Sequence, residues 1–232
     1  MVKKIIKVRD IDVLVIKKDI KNFHLSVLPP DGRVRASVPE YVSDDTVRLF
    51  VIKKYAWIKK NIGRFLSQER QTKREYVSGE SHYVKGKRYI LQIEYAKRPK
   101  IEIIGKKYIR FYVPLSYTKE KRQNYYEKWL RKELKKRLAI LVPKWEKIIG
   151  VKANEVRIRK MKTKWGSCNP NARRIWINLE LAKKPEEYLE YVIVHELLHI
   201  IIRHHNKEFK NLLTKYMPKW KTYRRRLNEF IL

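Results

Sequence analysis

Cysteine is almost missing from this chain of 232 residues. Cys168 stands alone, so no disulfide can form within the chain. The small secreted folds held by disulfide frameworks are excluded, and a reducing compartment fits. Long apolar runs are missing too. Nothing approaches the roughly 18–20 consecutive apolar residues that span a bilayer. The first residues, Met1-Val2-Lys3-Lys4-Ile5-Ile6-Lys7, lack the apolar stretch of a secretory leader. The expected setting is cytoplasmic and soluble, with no membrane partner. Glycine forms no phosphate-cradling loop. Acidic residues are scarce, with 24 Asp and Glu against 57 Lys and Arg and a formal net charge of +33. Such an excess favours contact with polyanions, nucleic acid among them. The lysines are scattered over the whole chain, however, and a generally solvated basic surface accounts for them equally well.

What is present suits a folded globular protein. Hydrophobic content is 44% and aromatic content 12%, and the length fits one large domain or two small ones. Ile11–Ile16, His24–Leu28 and Arg33–Pro39 alternate or run apolar, with Pro29-Pro30-Asp31-Gly32 as turn chemistry. They read as neighbours in an antiparallel sheet. Ser43 caps a long amphipathic helix with Val47, Phe50, Val51, Tyr55, Ile58 and Ile62 on one face, ending near residues 67–69. Gln68–Tyr76 reads as a linker. Tyr89–Glu94 and a hairpin of Ile101–Ile104 with Tyr108–Val113 follow. Thr118 caps a second helix to about Leu141, which Pro143 kinks or breaks, with Gly150 as a later stop. Val156-Arg157-Ile158 begins a strand that ends in a tight turn over Met161–Asn171, and Arg174–Leu181 returns from it. Trp220–Phe230 closes the chain as a short helix. The fold class is α+β. An antiparallel β-rich part with one long helix occupies 1–115 and a second part 116–232, an arrangement also compatible with one compact unit.

The second part holds Tyr191–Ile202, a stretch apolar on nearly every side that contains His195-Glu196-Leu197-Leu198-His199. Two histidines four apart on a helix stand roughly 40° apart in rotation, one turn above the other, so both imidazoles can reach one ion. Zinc is the usual metal for such nitrogen ligands. Glu196 sits beside the first ligand, where it can take a proton from water without binding the metal itself. Helical histidines are often ordinary core residues. Two of them and a glutamate on so apolar a helix would be costly to bury without a partner, and a metal is such a partner. A catalytic zinc takes three protein ligands and keeps one position open. His204 and His205 are the candidates for the third. In an unbroken helix His205 would face away, so the chain must leave the helix near Arg203, with Asn206 capping a new one. Geometry alone does not choose between the two histidines.

Lys164-Trp165-Gly166-Ser167-Cys168, then a strand, then His195-Glu196-Leu197-Leu198-His199, then His205 and Phe209, resemble the YgjP-like metallopeptidase-domain family. That family is related to the SprT-like and WLM zinc proteases. Its pattern places the third histidine six residues after the second and a phenylalanine four residues later, which implies His205 as the ligand and His204 as its neighbour. Ser78-Gly79-Glu80 with Tyr83 and Gly86, and Trp57-Ile58 on the first helix, extend the resemblance over most of the chain. It implies a C-terminal zincin-like (minigluzincin) catalytic domain. Lys164 stands where the family commonly has arginine, and Lys210 where it often has tryptophan. Neither touches the ligand set, and both bear on substrate preference.

The expected function is therefore zinc-dependent hydrolysis of a polypeptide. Zn2+ would be held by His195, His199 and His205, with Glu196 as general base. Lys164, Trp165, Gly166, Ser167, Trp176 and Asn178 are candidates for the substrate cleft, and Arg174–Leu181 is the strand a peptide would pair with. Tyr216, Tyr223 and Lys164 are candidate oxyanion donors. Cys168 reads as a small buried residue rather than a nucleophile. Two alternatives stand beside this reading. One is a metal-dependent nucleoside triphosphate pyrophosphohydrolase, which some YgjP-like proteins are associated with. The other is a nucleic-acid-associated protein with a structural zinc, which would need a fourth ligand and leaves Glu196 without a role.

Overall fold

The structure is a computed structural model that describes residues 3–28, 31–67 and 74–229. Pro29, Pro30, Phe230 and residues 68–73 of the expected linker lie outside it. The chain divides into two compact units, Met1–Gln71 with Glu229–Leu232, and Thr72–Asn228. No described helix is long and apolar enough to cross a membrane.

The first unit opens with β1 (Lys3–Val8), β2 (Ile11–Lys18), β3 (His24–Leu28) and β4 (Arg33–Pro39), ordered β1-β2-β4-β3. The expected sheet was antiparallel throughout. It is two antiparallel hairpins joined edge to edge by a parallel pairing of β2 with β4. Alternation places residues on faces but does not choose neighbours, which is why the joint was not legible. The expected long helix is likewise two, α1 (Asp44–Lys53) and α2 (Tyr55–Ser67). At Lys54 the bonding tightens, its N–H lying 3.2 Å from Phe50 O and 3.1 Å from Val51 O. Val47, Val51 and Ile58 still meet Val13, Val34 and Ala36 in one core.

The second unit repeats the plan. β5 (Ser81–Val84), β6 (Lys87–Tyr95), β7 (Lys100–Ile104) and β8 (Tyr108–Val113) are ordered β5-β6-β8-β7, again with a parallel joint between β6 and β8. A helix follows here too, α3 (Lys119–Ile149). The connections match residue for residue. Arg35, Val38-Pro39 and Ser43 answer to Arg110, Val113-Pro114 and Thr118. Pro39 O accepts the Val42 N–H at 3.3 Å, and Pro114 O the Tyr117 N–H at 2.9 Å. Ser43 then caps α1 and Thr118 caps α3. The sheet and helix of the first unit are thus an internal repeat of those in the second.

Pro143 does not end α3, which runs to Ile149 and stops at Gly150 in the left-handed conformation (φ 80°). An interior proline costs about 3 kcal/mol. The last two turns bury Leu141, Val142, Trp145 and Ile149, each contributing roughly 1.5–3 kcal/mol, so packing outweighs the lost bond. β9 (Glu155–Arg159), β10 (Gly166–Asn169) and β11 (Arg174–Asn178) form a small sheet ordered β10-β11-β9. The segment expected as a tight turn therefore contains a strand, and β11 ends at Asn178, before a 3-10 turn over Leu179–Lys183. α4 (Glu186–Leu198), α5 (Lys207–Tyr216) and α6 (Trp220–Glu229) complete the unit. The two units part at 71/72. The β5–β8 sheet shares one core with α3 and α4, through Leu91, Ile109, Phe111, Leu130, Leu134 and Leu189.

Candidate metal centre

The start of α4 is held from two sides. Arg137 of α3 is buried and donates to the carbonyls of Leu181 (3.3 Å) and Lys184 (3.5 Å), with its Nε 3.7 Å from the Glu186 carboxylate. The β5–β6 turn donates the N–H groups of Lys85 and Gly86 to Ala182 O and Lys183 O, both at 3.0 Å. Gly86 has φ +78°, and a Cβ there would stand 2.5 Å from Pro185 Cγ. Only glycine meets both demands. The resemblance had pointed to Gly86, and this is its physical role.

α4 ends a turn earlier than expected. His199 is its C-cap, and the chain tightens at once, with Ile200 N–H to Leu197 O and Ile201 N–H to Leu198 O, both 3.0 Å. Asn206 then caps α5 by accepting the Phe209 N–H at 2.9 Å. This reversal carries His205 back over α4. Its Nε2 lies 2.9 Å from His195 Nε2 and 3.1 Å from His199 Nε2. His204 is not in this cluster. Phe209 is the floor beneath all three rings, stacked on His199 at 4.7 Å and edge-on to His195 and His205 at 5.1 and 4.9 Å.

The donor set fits a divalent metal. His199 Nδ1 lies 3.1 Å from Ile202 O, a carbonyl that can only accept, so Nδ1 carries the hydrogen and Nε2 a lone pair. Hydrogen bonding cannot satisfy the trio. A single hydrogen on His205 Nε2 could serve only one of its two neighbours. Three nitrogens on a tetrahedral ion with bonds of roughly 2.0–2.1 Å stand roughly 3.3 Å apart, close to the separations found. Burial, and the neighbouring histidines, push His195 down to about 3. Burial likewise holds His199 and His205 below the usual range. All three are thus neutral, the form that binds a metal. The Ile202 carbonyl orients the His199 ring from behind, whereas among the described residues His195 Nδ1 is buried without a hydrogen-bond partner.

Glu196 is buried, and that burial pushes its carboxyl up to about 8, with Lys164 opposing. Its side chain lies against Gly166 of β10. A Cβ on Gly166 would come within 2.6 Å of Glu196 Oε1, 2.7 Å of its Cγ and 2.8 Å of Val192 Cγ1. Gly166→Ala must therefore displace the carboxyl while leaving the histidines in place. A misplacement of about 1 Å in such a group can cost about a hundredfold in rate. The expected result is a loss of that order in kcat with unchanged metal content. Parallel kinetics and metal analysis check it.

A cleft of about 920 Å³ opens over the centre, lined by His195, Glu196, His199, His205 and the segment Lys164–Asn171. Lys164, Trp165, Gly166 and Ser167 fall in the lining, as does Cys168, whose thiol burial pushes up to about 11. Trp176 and Asn178 do not line the cleft, which corrects the expectation. Trp176 lies under Arg157 and Arg159, whose guanidiniums are 5.5 and 5.9 Å from its ring. Asn178 is fully buried and ties down the preceding loop, donating to Met161 O (2.9 Å) and Lys164 O (2.7 Å). β11 is the central strand of its sheet, so it cannot be the strand a peptide adds to; the strand beside α4 with an edge is β10. Tyr216 and Tyr223 are not in the lining either, and Tyr223 packs on Tyr188 and Tyr191. Arg203, Lys210 and Arg224 are in it, and nothing in the sequence spacing marked them as cleft residues.

A family model described as YgjP-like, metallopeptidase domain, matches residues 21–230. No curated protein matches the chain. Among solved structures, one similar chain is the metallopeptidase zymogen abylysin of Pyrococcus abyssi. It is 23% identical, with 39% of this chain and 90% of that chain covered, at a TM-score of 0.37.

Proposed function

The chain belongs to the YgjP-like metallopeptidase-domain family, whose members are metal-dependent hydrolases, and from that premise we propose that it is a zinc peptidase. The observation that carries the reading is the convergence of three histidine Nε2 atoms, at 2.9 and 3.1 Å, beside one buried carboxyl. His195, His199 and His205 hold the metal. When bound, a divalent ion of this kind supplies Lewis acidity, lowering the pKa of water and polarising a carbonyl. Glu196 accepts the proton of the attacking water on its carboxylate and returns it to the departing amine. Gly166 leaves that carboxylate room to turn between the two positions. An extended substrate pairs along β10 and lies across the histidines. Lys164, in the cleft lining, supports developing negative charge.

The donor set also weighs against phosphoanhydride hydrolysis of nucleoside triphosphates. Magnesium sites that act on nucleoside triphosphates are built from carboxylate oxygens, whereas imidazole suits zinc. The test is hydrolysis of casein by the purified protein. Chelation is expected to abolish it, and one equivalent of zinc to restore it. Full hydrolysis after complete metal removal, or turnover of nucleoside triphosphates but no polypeptide, would overturn the proposal.

A further inference from the structure

Lys164, Arg203, Lys210 and Arg224 all line the cleft and are all exposed. They come from the lead-in to β10, the α4–α5 turn, α5 and α6. The one carboxylate in the lining is Glu196, and it is buried. Three acids near the start of α4 are paired with cations. Glu186 meets Arg137 at 3.7 Å, Glu190 meets Lys144 at 2.6 Å, and Glu180 meets Lys183 at 2.6 Å. Glu187 and Glu208, on α4 and α5, lie outside the lining. Among the described residues no acid forms an ion pair with any of the four cleft cations. A bound dication adds to the same sign.

We propose that this cleft selects polypeptide segments with acidic side chains flanking the scissile bond, the substrate carboxylates replacing the partners that Lys164, Arg203, Lys210 and Arg224 lack. The inference rests on the peptidase reading and narrows it to a substrate class. Opposite charge at an open cleft raises encounter rates, and like charge disfavours the wrong substrate. An extended polypeptide is favoured over nucleic acid by two features of the lining. One side is an edge strand, which takes a peptide backbone. The other is the shortage of exposed rings. Tyr191, Phe209 and Trp220 are buried and Trp165 is only partly exposed, and a single partly exposed ring is not a series of platforms for stacking bases.

The test uses metal-loaded, full-length protein and one set of fluorogenic peptides. A common frame carries Asp/Glu, Asn/Gln or Lys on both sides of the cleaved bond. At low salt the acidic peptides are expected to exceed the neutral ones in kcat/KM by about tenfold, and the lysine peptides to fall below both. The gap should close at about 1 M salt, where the screening length falls to about 3 Å. The double variant Lys210→Glu/Arg224→Glu should erase the preference at unchanged metal content. The control Lys132→Glu/Lys135→Glu, on the exposed face of α3, should keep it. A binding measurement covers the case in which turnover fails. Metal-loaded Glu196→Gln protein should bind a labelled acidic peptide and lose it in the cleft double variant. Equal handling of neutral and acidic peptides at low salt would overturn the proposal. So would equal loss in the α3 control, or displacement of the labelled peptide by single-stranded DNA at lower concentration than by unlabelled peptide. Failure to cleave any peptide would count instead against the peptidase reading, and binding would still decide the charge preference.

Discussion

Glu196→Gln is expected to lower peptide turnover by roughly a hundred- to ten-thousandfold, the range for removing a general base, while leaving metal binding intact. Glutamine matches the shape that Gly166 leaves room for, so the variant should fold and load. It has no basic oxygen to accept the water's proton. A second consequence separates this residue from an ordinary core polar group. Its carboxyl is raised from 4.5 to about 8. In metal-free protein the folded state therefore holds the proton more tightly than the unfolded one, and stability falls as pH rises from about 4.5 through about 8. The glutamine variant, having no charge to bury, should melt at higher temperature than wild type near and above pH 8. Thermal melts after chelation check this, and steady-state kinetics check the first part. Full turnover by the variant would remove Glu196 from the mechanism.

His205→Ala should weaken zinc binding by more than roughly a hundredfold, since even loss of a group behind a ligand costs about 10–100-fold. The variant isolates the residue that closes the site. His195 and His199 both belong to α4, and without His205 they offer two ligands to an ion that needs at least three from the protein. Stability of the metal-free fold should change little. His205 is exposed, and the turn around it is held by Asn206 and Phe209 instead. His204→Ala is the control and should bind zinc as wild type does. Competition against a zinc-binding dye measures both. A His205→Ala variant with wild-type affinity would show that the cluster is not the ligand set.

The residues that were legible in the sequence are those whose geometry is local. His195, Glu196 and His199 follow from one helical period. The caps Ser43, Thr118 and Asn206 follow from side-chain chemistry, and each accepts the expected N–H. His205 required the end of α4. That end is set by the tightened turn after His199 and by Phe209 packing under three rings, neither of which spacing reveals. Residue types on a strand were readable, but strand neighbours were not. Arg174–Leu181 alternates in the sequence, yet its strand part lies between β9 and β10, and Trp176 and Asn178 fall outside the cleft lining. Gly166 was named in the sequence without a physical reason, because its reason is a contact with α4 across the fold. The repeat of Arg35, Val38-Pro39 and Ser43 at Arg110, Val113-Pro114 and Thr118 was present all along. So few matching residues carry little weight until the two sheets show the same strand order.

One ion is expected among His195, His199 and His205. X-ray absorption at the zinc edge of the metal-loaded protein tests it most directly. The prediction is one zinc per chain with three imidazole nitrogens at roughly 2.0–2.1 Å and no sulfur. A sulfur scatterer at about 2.3 Å, which only Cys168 or a methionine could supply, or a shell with fewer than three imidazoles, would contradict it.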